Sequence, residues 1–181
     1  MQIQIKPIPS EWSQLISMVN KLRKTNVVYL AGGAPRDYLL DKPIKDWDLF
    51  IYVENPLAVR SCLQNHFNLT RSVGNADGFY KGIAEERGVQ AIDYFVNMNG
   101  ELQVIYLSRD MPLVELLEGM DFGLCQVGTD GKSWTFTEAF IKDLENQTLT
   151  HYRYFEAEKR MKERYARLSK KYPNMKLKFA Y

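Results

Sequence analysis

Two aspartates separated by one residue, Asp46 and Asp48, carry the most specific chemistry in this 181-residue sequence. They open the apolar run DWDLFIYV, and in an extended strand alternate residues share a face. Asp46 and Asp48 therefore point one way, while Trp47, Leu49, Ile51 and Val53 point to the other side as candidate core. Their Cα atoms lie roughly 7 Å apart, two strand rises, which suits carboxylates holding divalent cations about 3.5–4 Å from each other. Without a cation, two such charges at the head of a half-buried strand repel, and one of them titrates abnormally. The first reading is thus a metal-holding pair; taken alone, an Asp-x-Asp favours the alternative, in which Asp46 ends a turn after Pro43 and Asp48 faces water. The segment before it favours the first reading. The strand-like run Val27–Ala31 stops at Gly32-Gly33, and a short helical pattern containing Pro35 follows. Glycines tolerate positive φ and a close ligand, and proline suits a first helical turn. A helix N-terminus facing those glycines, with the side chain of Arg36 beside it, suits phosphate.

The run Gly32-Gly33-Ala34-Pro35-Arg36-Asp37, then Leu39-Leu40, then Asp46-Trp47-Asp48 resembles the head-domain signature of tRNA nucleotidyltransferases and bacterial poly(A) polymerases, within the polymerase-beta-like nucleotidyltransferase superfamily. The resemblance implies that Gly32, Gly33 and Arg36 position the triphosphate of an NTP and that Asp46 and Asp48 hold Mg²⁺ or Mn²⁺. It also implies a third carboxylate on a neighbouring strand. Asp93, the single charge in VQAIDYFV, is the candidate, as a metal ligand and assisting base. The alternative for Asp93 is an ion pair with a nearby arginine such as Arg87, since a buried carboxylate needs a partner. A second block, Met120-Asp121-Phe122 with Asp143-Leu144 beyond it, resembles a later family segment, but the leading arginine falls on Met120 and an asparagine on Cys125. The resemblance spans residues 27–150 and omits neck, body and tail domains. It therefore implies a minimal nucleotidyltransferase rather than a complete CCA-adding enzyme, and small stand-alone proteins of this kind occur in phages and toxin–antitoxin systems. The expected activity is transfer of an NMP from an NTP to an acceptor hydroxyl, with RNA and specifically tRNA first among acceptors. A protein or small-molecule acceptor, or a non-catalytic nucleotide- or RNA-binding module, stands as the alternative.

Composition sets the frame. With 45% hydrophobic and 25% charged residues the chain is ordinarily globular, no apolar run spans a membrane, and the first residues lack the apolar centre of a signal peptide. Cys62 and Cys125 are isolated, as are His66 and His151, so neither a disulfide framework nor a zinc site is expected and a reducing cytoplasm is. There is no Gly-x-x-x-x-Gly-Lys-Ser/Thr loop and no Gly-x-Gly-x-x-Gly fingerprint. The net charge of +2 is uneven: residues 151–181 hold ten Lys/Arg against three Glu, +7, and residues 1–150 are left at −5. A basic terminus on an acidic body suits nucleic acid, with Lys159, Arg160 and Arg164 as candidate phosphate contacts. The competing reading is a solvated helix laced by Glu156/Arg160, Glu158/Lys162 and Glu163/Arg167.

The positioning elements alternate. A helix over Glu11–Lys24 capped by Ser10, the strand–turn–helix–strand unit, a helix from Asn55 or Pro56 to His66, and a strand over Phe67–Val73 are expected. A turn at 74–78 then leads to a strand near Phe79–Ala84, with Lys81 beside it. Further strands follow at Val89–Val96 and Leu102–Leu107, a helix capped by Ser108, and a hairpin at Thr129–Lys132. A long helix over Tyr152–Tyr172 precedes a tail that is loose or docks as a strand. The pattern predicts an α/β (α+β) architecture, a mixed β-sheet flanked by helices: a head-like domain over 1–150 and a basic helical extension over 151–181.

Overall fold

The computed structural model describes residues 5–22, 25–74, 88–98, 100–154 and 156–181. The expected turn at 74–78 beyond Gly74, the strand near Phe79–Ala84, Lys81 and Arg87 lie outside them.

A seven-stranded mixed sheet organises the chain in the order β3-β4-β5-β2-β1-β6-β7. Its strands are β1 (Thr25–Ala31), β2 (Asp46–Val53), β3 (Asn68–Gly74), β4 (Val89–Asn97), β5 (Gly100–Leu107), β6 (Val127–Thr129) and β7 (Trp134–Phe136). Within this sheet β2 and β5 pair in parallel and the other described neighbours are antiparallel. Six α-helices are present among the described residues: α1 (Ser10–Asn20), α2 (Gly33–Leu39), α3 (Pro56–Leu63), α4 (Leu113–Glu118), α5 (Glu138–Asn146) and α6 (Glu158–Lys171). A second sheet pairs β8 (Thr148–His151) in parallel with β9 (Lys176–Phe179). This is the mixed, helix-flanked sheet that the sequence predicts.

Three apolar clusters hold these layers. On one sheet face Trp12, Leu15, Ile16 and Val19 of α1 and Val59 and Leu63 of α3 pack on Val28, Leu30, Leu49, Ile51 and Val104. Trp12 meets Tyr38, Trp47 and Trp134 edge-on, with centroids 5.4, 6.2 and 6.2 Å away. A second cluster joins Leu39 of α2, Phe122, Leu124, Phe140, Leu144 and Leu149 to Met161, Leu168 and Tyr172, so α6 lies docked rather than solvated all round. The third gathers Val27, Ala31 and Leu107 with Leu113, Leu116 and Leu117 of α4.

Several boundaries move for local reasons. Pro9 rather than Ser10 precedes α1. Asn55 caps α3 by accepting from the Leu57 N–H at 3.1 Å, and the helix stops at Leu63. Ser108 starts no helix: Pro112 sits at the N-cap and α4 begins at Leu113, because proline disfavours helical geometry in the residue before it. The final helix is shorter than Tyr152–Tyr172, since Thr148–His151 is committed to β8 and the helix opens at Glu158. The tail docks as β9.

Candidate active site

Leu30 to Leu49 and Tyr29 to Phe50 set the antiparallel register of β1 against β2, so the Gly32-Gly33 turn leaves β1 beside the start of β2. Gly32 has φ 83 and its N–H donates to the Val127 carbonyl at 2.8 Å. That φ is costly for any residue with a Cβ. Met120, where the family-like segment would carry arginine, lies against this turn: a Cβ on Gly32 would meet its Sδ at 3.5 Å.

Asp46 and Asp48, the first and third residues of β2, project on the face opposite Leu49 and Ile51, which are fully buried. Lys45 Nζ lies 3.2 Å from Asp46 Oδ2, and Gln103 Nε2 on β5 donates to the same oxygen at 3.4 Å. Asp48 has its carboxyl pushed up to about 7, first by burial and then by the charge of Asp46, against the opposing pull of Arg164, Arg36 and Lys45. Two acids on one face, one of them pushed toward its neutral form first by burial and then by the charge of the other, match a divalent cation that takes one or two protein carboxylates and completes its shell with phosphate and water. Among the described residues no cluster of three or more His, Cys, Asp or Glu is gathered for a metal. Glu101 stands in register beside Asp46 on β5 and is exposed.

Asp93 is placed elsewhere. It pairs with Val104, which pairs with Leu49, and residues opposite one another in a ladder share a face. Asp93 therefore points to the α1 and α3 side, away from Asp46 and Asp48. There its buried carboxylate accepts from Arg60 Nε and Nη2 at 2.9 Å each, from Ser72 Oγ at 2.6 Å and from Tyr106 OH at 2.9 Å. Burial, followed by Asp93, pushes the Tyr106 hydroxyl up. The partner is Arg60 of α3, eight residues before β3, a contact made by the fold rather than by sequence proximity. An Asp93→Asn protein is expected to lose about 3 kcal/mol of stability, the cost of breaking a largely buried pair, yet to keep any transferase activity within about threefold. Chemical denaturation and initial rates, measured side by side, check both halves.

Arg36 is also enclosed, at 6% exposure. Its Nε donates to Asp37 Oδ1 at 2.7 Å and to Tyr172 OH at 3.1 Å, and its Nη1 lies 3.0 Å from Cys125 Sγ. Tyr172 OH donates to Asp37 Oδ1 at 2.6 Å, and Lys171 bonds Asp37 Oδ2. Burial alone would lower the pKa of Arg36, but Cys125, Tyr172 and Asp37 raise it and keep the guanidinium charged. The structure thus places Arg36 inside a bridge between α2 and the end of α6. Arg164, also on α6, pairs with Asp121, which in turn accepts from the Phe122 N–H at 3.0 Å. Arg160 binds Glu156 at 2.9 Å, and Lys159 is exposed. Of the three basic candidates, Arg164 is the one whose charge acts on Asp48. Sequence reading passed over Gln103 and Glu101; the signal was the polar phase of β5, legible only once β5 is paired with β2.

A scan of protein-family models finds no match to this chain, and a search of curated proteins finds none. Solved structures do match. A tRNA-processing enzyme in apo form aligns with a TM-score of 0.57 at 18% identity, covering 82% of this chain and 38% of that one. A CCA-adding enzyme in complex with CTP gives 0.56 at 15%, covering 80% and 34%. The CCA-adding enzyme of Bacillus stearothermophilus in complex with CTP gives 0.53 at 19%, covering 91% and 38%. The fold is that of the head region of CCA-adding tRNA nucleotidyltransferases. The chain spans between a third and two-fifths of the length of these proteins. In this head fold the strand carrying Asp46 and Asp48 lies at the centre of the sheet, flanked by β1 and its glycine turn on one side and by β5 on the other. No helix among the described residues is long and apolar enough to cross a membrane.

Proposed function

We propose that this protein is a metal-dependent nucleotidyltransferase that moves an NMP from an NTP to an acceptor hydroxyl of RNA, tRNA first among candidates, releasing pyrophosphate. The observation that carries the reading is the pair Asp46 and Asp48, on one face of β2 beside a glycine turn in a head-like fold. Mg²⁺ or Mn²⁺ bound there would activate the attacking oxygen and neutralise charge on the leaving pyrophosphate.

The chain's own residues do the rest. Asp46 and Asp48 would hold the metal that orients the reacting phosphate and the attacking hydroxyl. Lys45 and Gln103 fix the Asp46 carboxylate. Gly32 and Gly33 let the triphosphate approach the backbone. Arg164 supplies positive charge near Asp48, and Arg36, locked with Asp37 and Tyr172, adds to the same field from beneath the turn while bracing α2. Glu101, next to Asp46 in the ladder, is the candidate for the assisting base, without completing a three-carboxylate metal group among the described residues.

The test is incubation of the purified protein with total RNA, Mg²⁺ and each α-³²P-labelled NTP, beside an Asp46→Ala/Asp48→Ala control. Label in RNA that is absent from the control is the expected result, and it names the nucleotide and sizes the acceptor. Label in protein and none in RNA would move the acceptor to a polypeptide. Absence of both label and pyrophosphate would overturn the reading.

A further inference from the structure

The small second sheet is open on one side. β8 is met along both of its edges: His151 bridges to Phe122 and the Tyr152 N–H donates to the Asp121 carbonyl at 2.8 Å, while β9 pairs along the other edge from Thr148–Lys176 to His151–Phe179. β9 has β8 alone. The Lys176 and Ala180 N–H groups turn inward, to the carbonyls of Gln147 and His151 at 2.9 and 3.0 Å. Backbone polar groups alternate in direction along a strand, so the N–H and C=O of Leu177 and Phe179 point out of the sheet, with no partner among the described residues. Two parallel strands with a bare edge are an incomplete unit, because parallel sheets are ordinarily enclosed and two-stranded sheets are marginal alone.

The two faces of that edge differ in chemistry. Lys176 and Lys178 lie on one face, exposed, and neither has an ion-pair partner among the described residues. Residues 164–181 hold six Lys/Arg and no Asp or Glu. On the other face the Phe179 and Tyr181 rings pack at 5.6 Å, both against the buried His151, and Tyr154 meets Tyr181 at 6.3 Å. Phe179, Tyr181 and Tyr154 stay 42%, 63% and 75% exposed, and contiguous exposed apolar surface marks an interaction site. A strand laid along β9 at about 4.8 Å sets alternate side chains over the lysines and over the rings. A second copy of β9 fits this edge poorly. Antiparallel pairing of the outward-facing residues puts Lys178 against its own counterpart, and like charges directly opposite are destabilising; edge lysines guard natural sheets against self-pairing. RNA would meet the lysines but leave the outward backbone groups of Leu177 and Phe179 unused.

We infer that β9 is a docking edge for a partner protein, which adds an extended segment of alternating acidic and apolar residues as a third strand, its acids on Lys176 and Lys178 and its apolar side chains on Phe179 and Tyr181. The edge uses none of the residues assigned to nucleotidyl transfer, so it stands or falls independently of that activity.

The probe is a fluorescein-labelled heptapeptide of alternating Glu and Val, followed by anisotropy against the full chain, with a Lys-Val heptapeptide as the charge control. The Glu-Val peptide is expected to bind at least about tenfold tighter than the Lys-Val peptide. The Lys176→Glu/Lys178→Glu protein, checked for folding by thermal melt, is expected to reverse that preference. Two further peptides separate strand addition from simple charge attraction. One is N-methylated at every Val and the other at every Glu. In an added strand only one of these sets donates to β9, so one peptide loses binding by at least about tenfold and the other keeps it. Equal effects of the two methylations overturn the docking edge, as does the absence of a preference for the Glu-Val peptide. A concentration-dependent dimer in sedimentation velocity that Lys176→Glu/Lys178→Glu alters would give the edge to a second copy. Tighter binding of a uridine heptanucleotide than of the Glu-Val peptide, lost in the same variant, would give it to RNA. Either result overturns the assignment to a protein partner.

Discussion

An Asp48→Asn protein should lose nucleotidyl transfer by at least about a thousandfold and, above pH 7, melt at a higher temperature than the unaltered chain. Both effects have one cause. Burial and the neighbouring Asp46 push the Asp48 carboxyl from 3.8 up to about 7. The folded state therefore binds a proton that the unfolded chain has already released. The resulting contribution to stability is fully present below the unfolded value near pH 4 and is lost as pH rises through about 7. A shift of this size would cost up to about 4 kcal/mol at 1.36 kcal/mol per unit. Partial exposure and relaxation reduce that to about 2 kcal/mol, or roughly 4–8 °C for a chain of this length. Asparagine keeps the shape and removes the charge, so the gain in melting temperature should be near zero at pH 4 and reach its full size by pH 8. Melts across that range in EDTA test the curve. A stability gain independent of pH would show that the charge of Asp48 is not what strains this site.

Where sequence alone succeeded and where it stopped follow from the range of the forces involved. The alternation in DWDLFIYV put Asp46 and Asp48 on one face, and the observed pattern with Leu49, Ile51 and Val53 buried agrees. The glycine turn was legible because Gly32 needs φ 83, a local demand that only the residue type can signal. Asp93 misled for an equally physical reason. An acid in an apolar strand declares that it has a partner but not which, and strand pairing decides both its face and its neighbour. The register Asp93–Val104–Leu49 sends it to the α3 side, where Arg60 waits. The same blindness to pairing hid Gln103, whose position across from Asp48 depends on the parallel β2–β5 contact. Arg36 illustrates a third limit. Its place beside the glycines suggested an open phosphate contact, whereas Tyr172, 136 residues later, covers it.

Removing Asp37 should be the most destabilising single change in that covered region. The carboxylate is 3% exposed and accepts from Arg36, Tyr172 and Lys171; burial opposes its charge, but Arg36, Lys171 and Tyr172 together hold its pKa below the ordinary carboxylate value. Its stabilisation is thus present above about pH 4 and lost as pH falls. Asp37→Ala leaves the Arg36 guanidinium enclosed without an anion, a loss of about 3–5 kcal/mol. It also releases the end of α6 from α2. Urea denaturation should show the midpoint falling with an unchanged slope, while Tyr172→Phe, which deletes one neutral donor, should cost about 1 kcal/mol. The double replacement Arg36→Met/Asp37→Leu distinguishes a structural pair from one kept for its charge. Apolar side chains of similar size should recover most of the stability, because neither ion is then left unpaired. They cannot recover the field. Arg36 is one of the cations that oppose the rise of Asp48, so the stable double variant should show a midpoint for Asp48 ionisation above that of the unaltered protein and a weaker hold on Mg²⁺ at pH 7. Recovery of stability together with an unchanged Mg²⁺ affinity would place Arg36 among the scaffold residues alone.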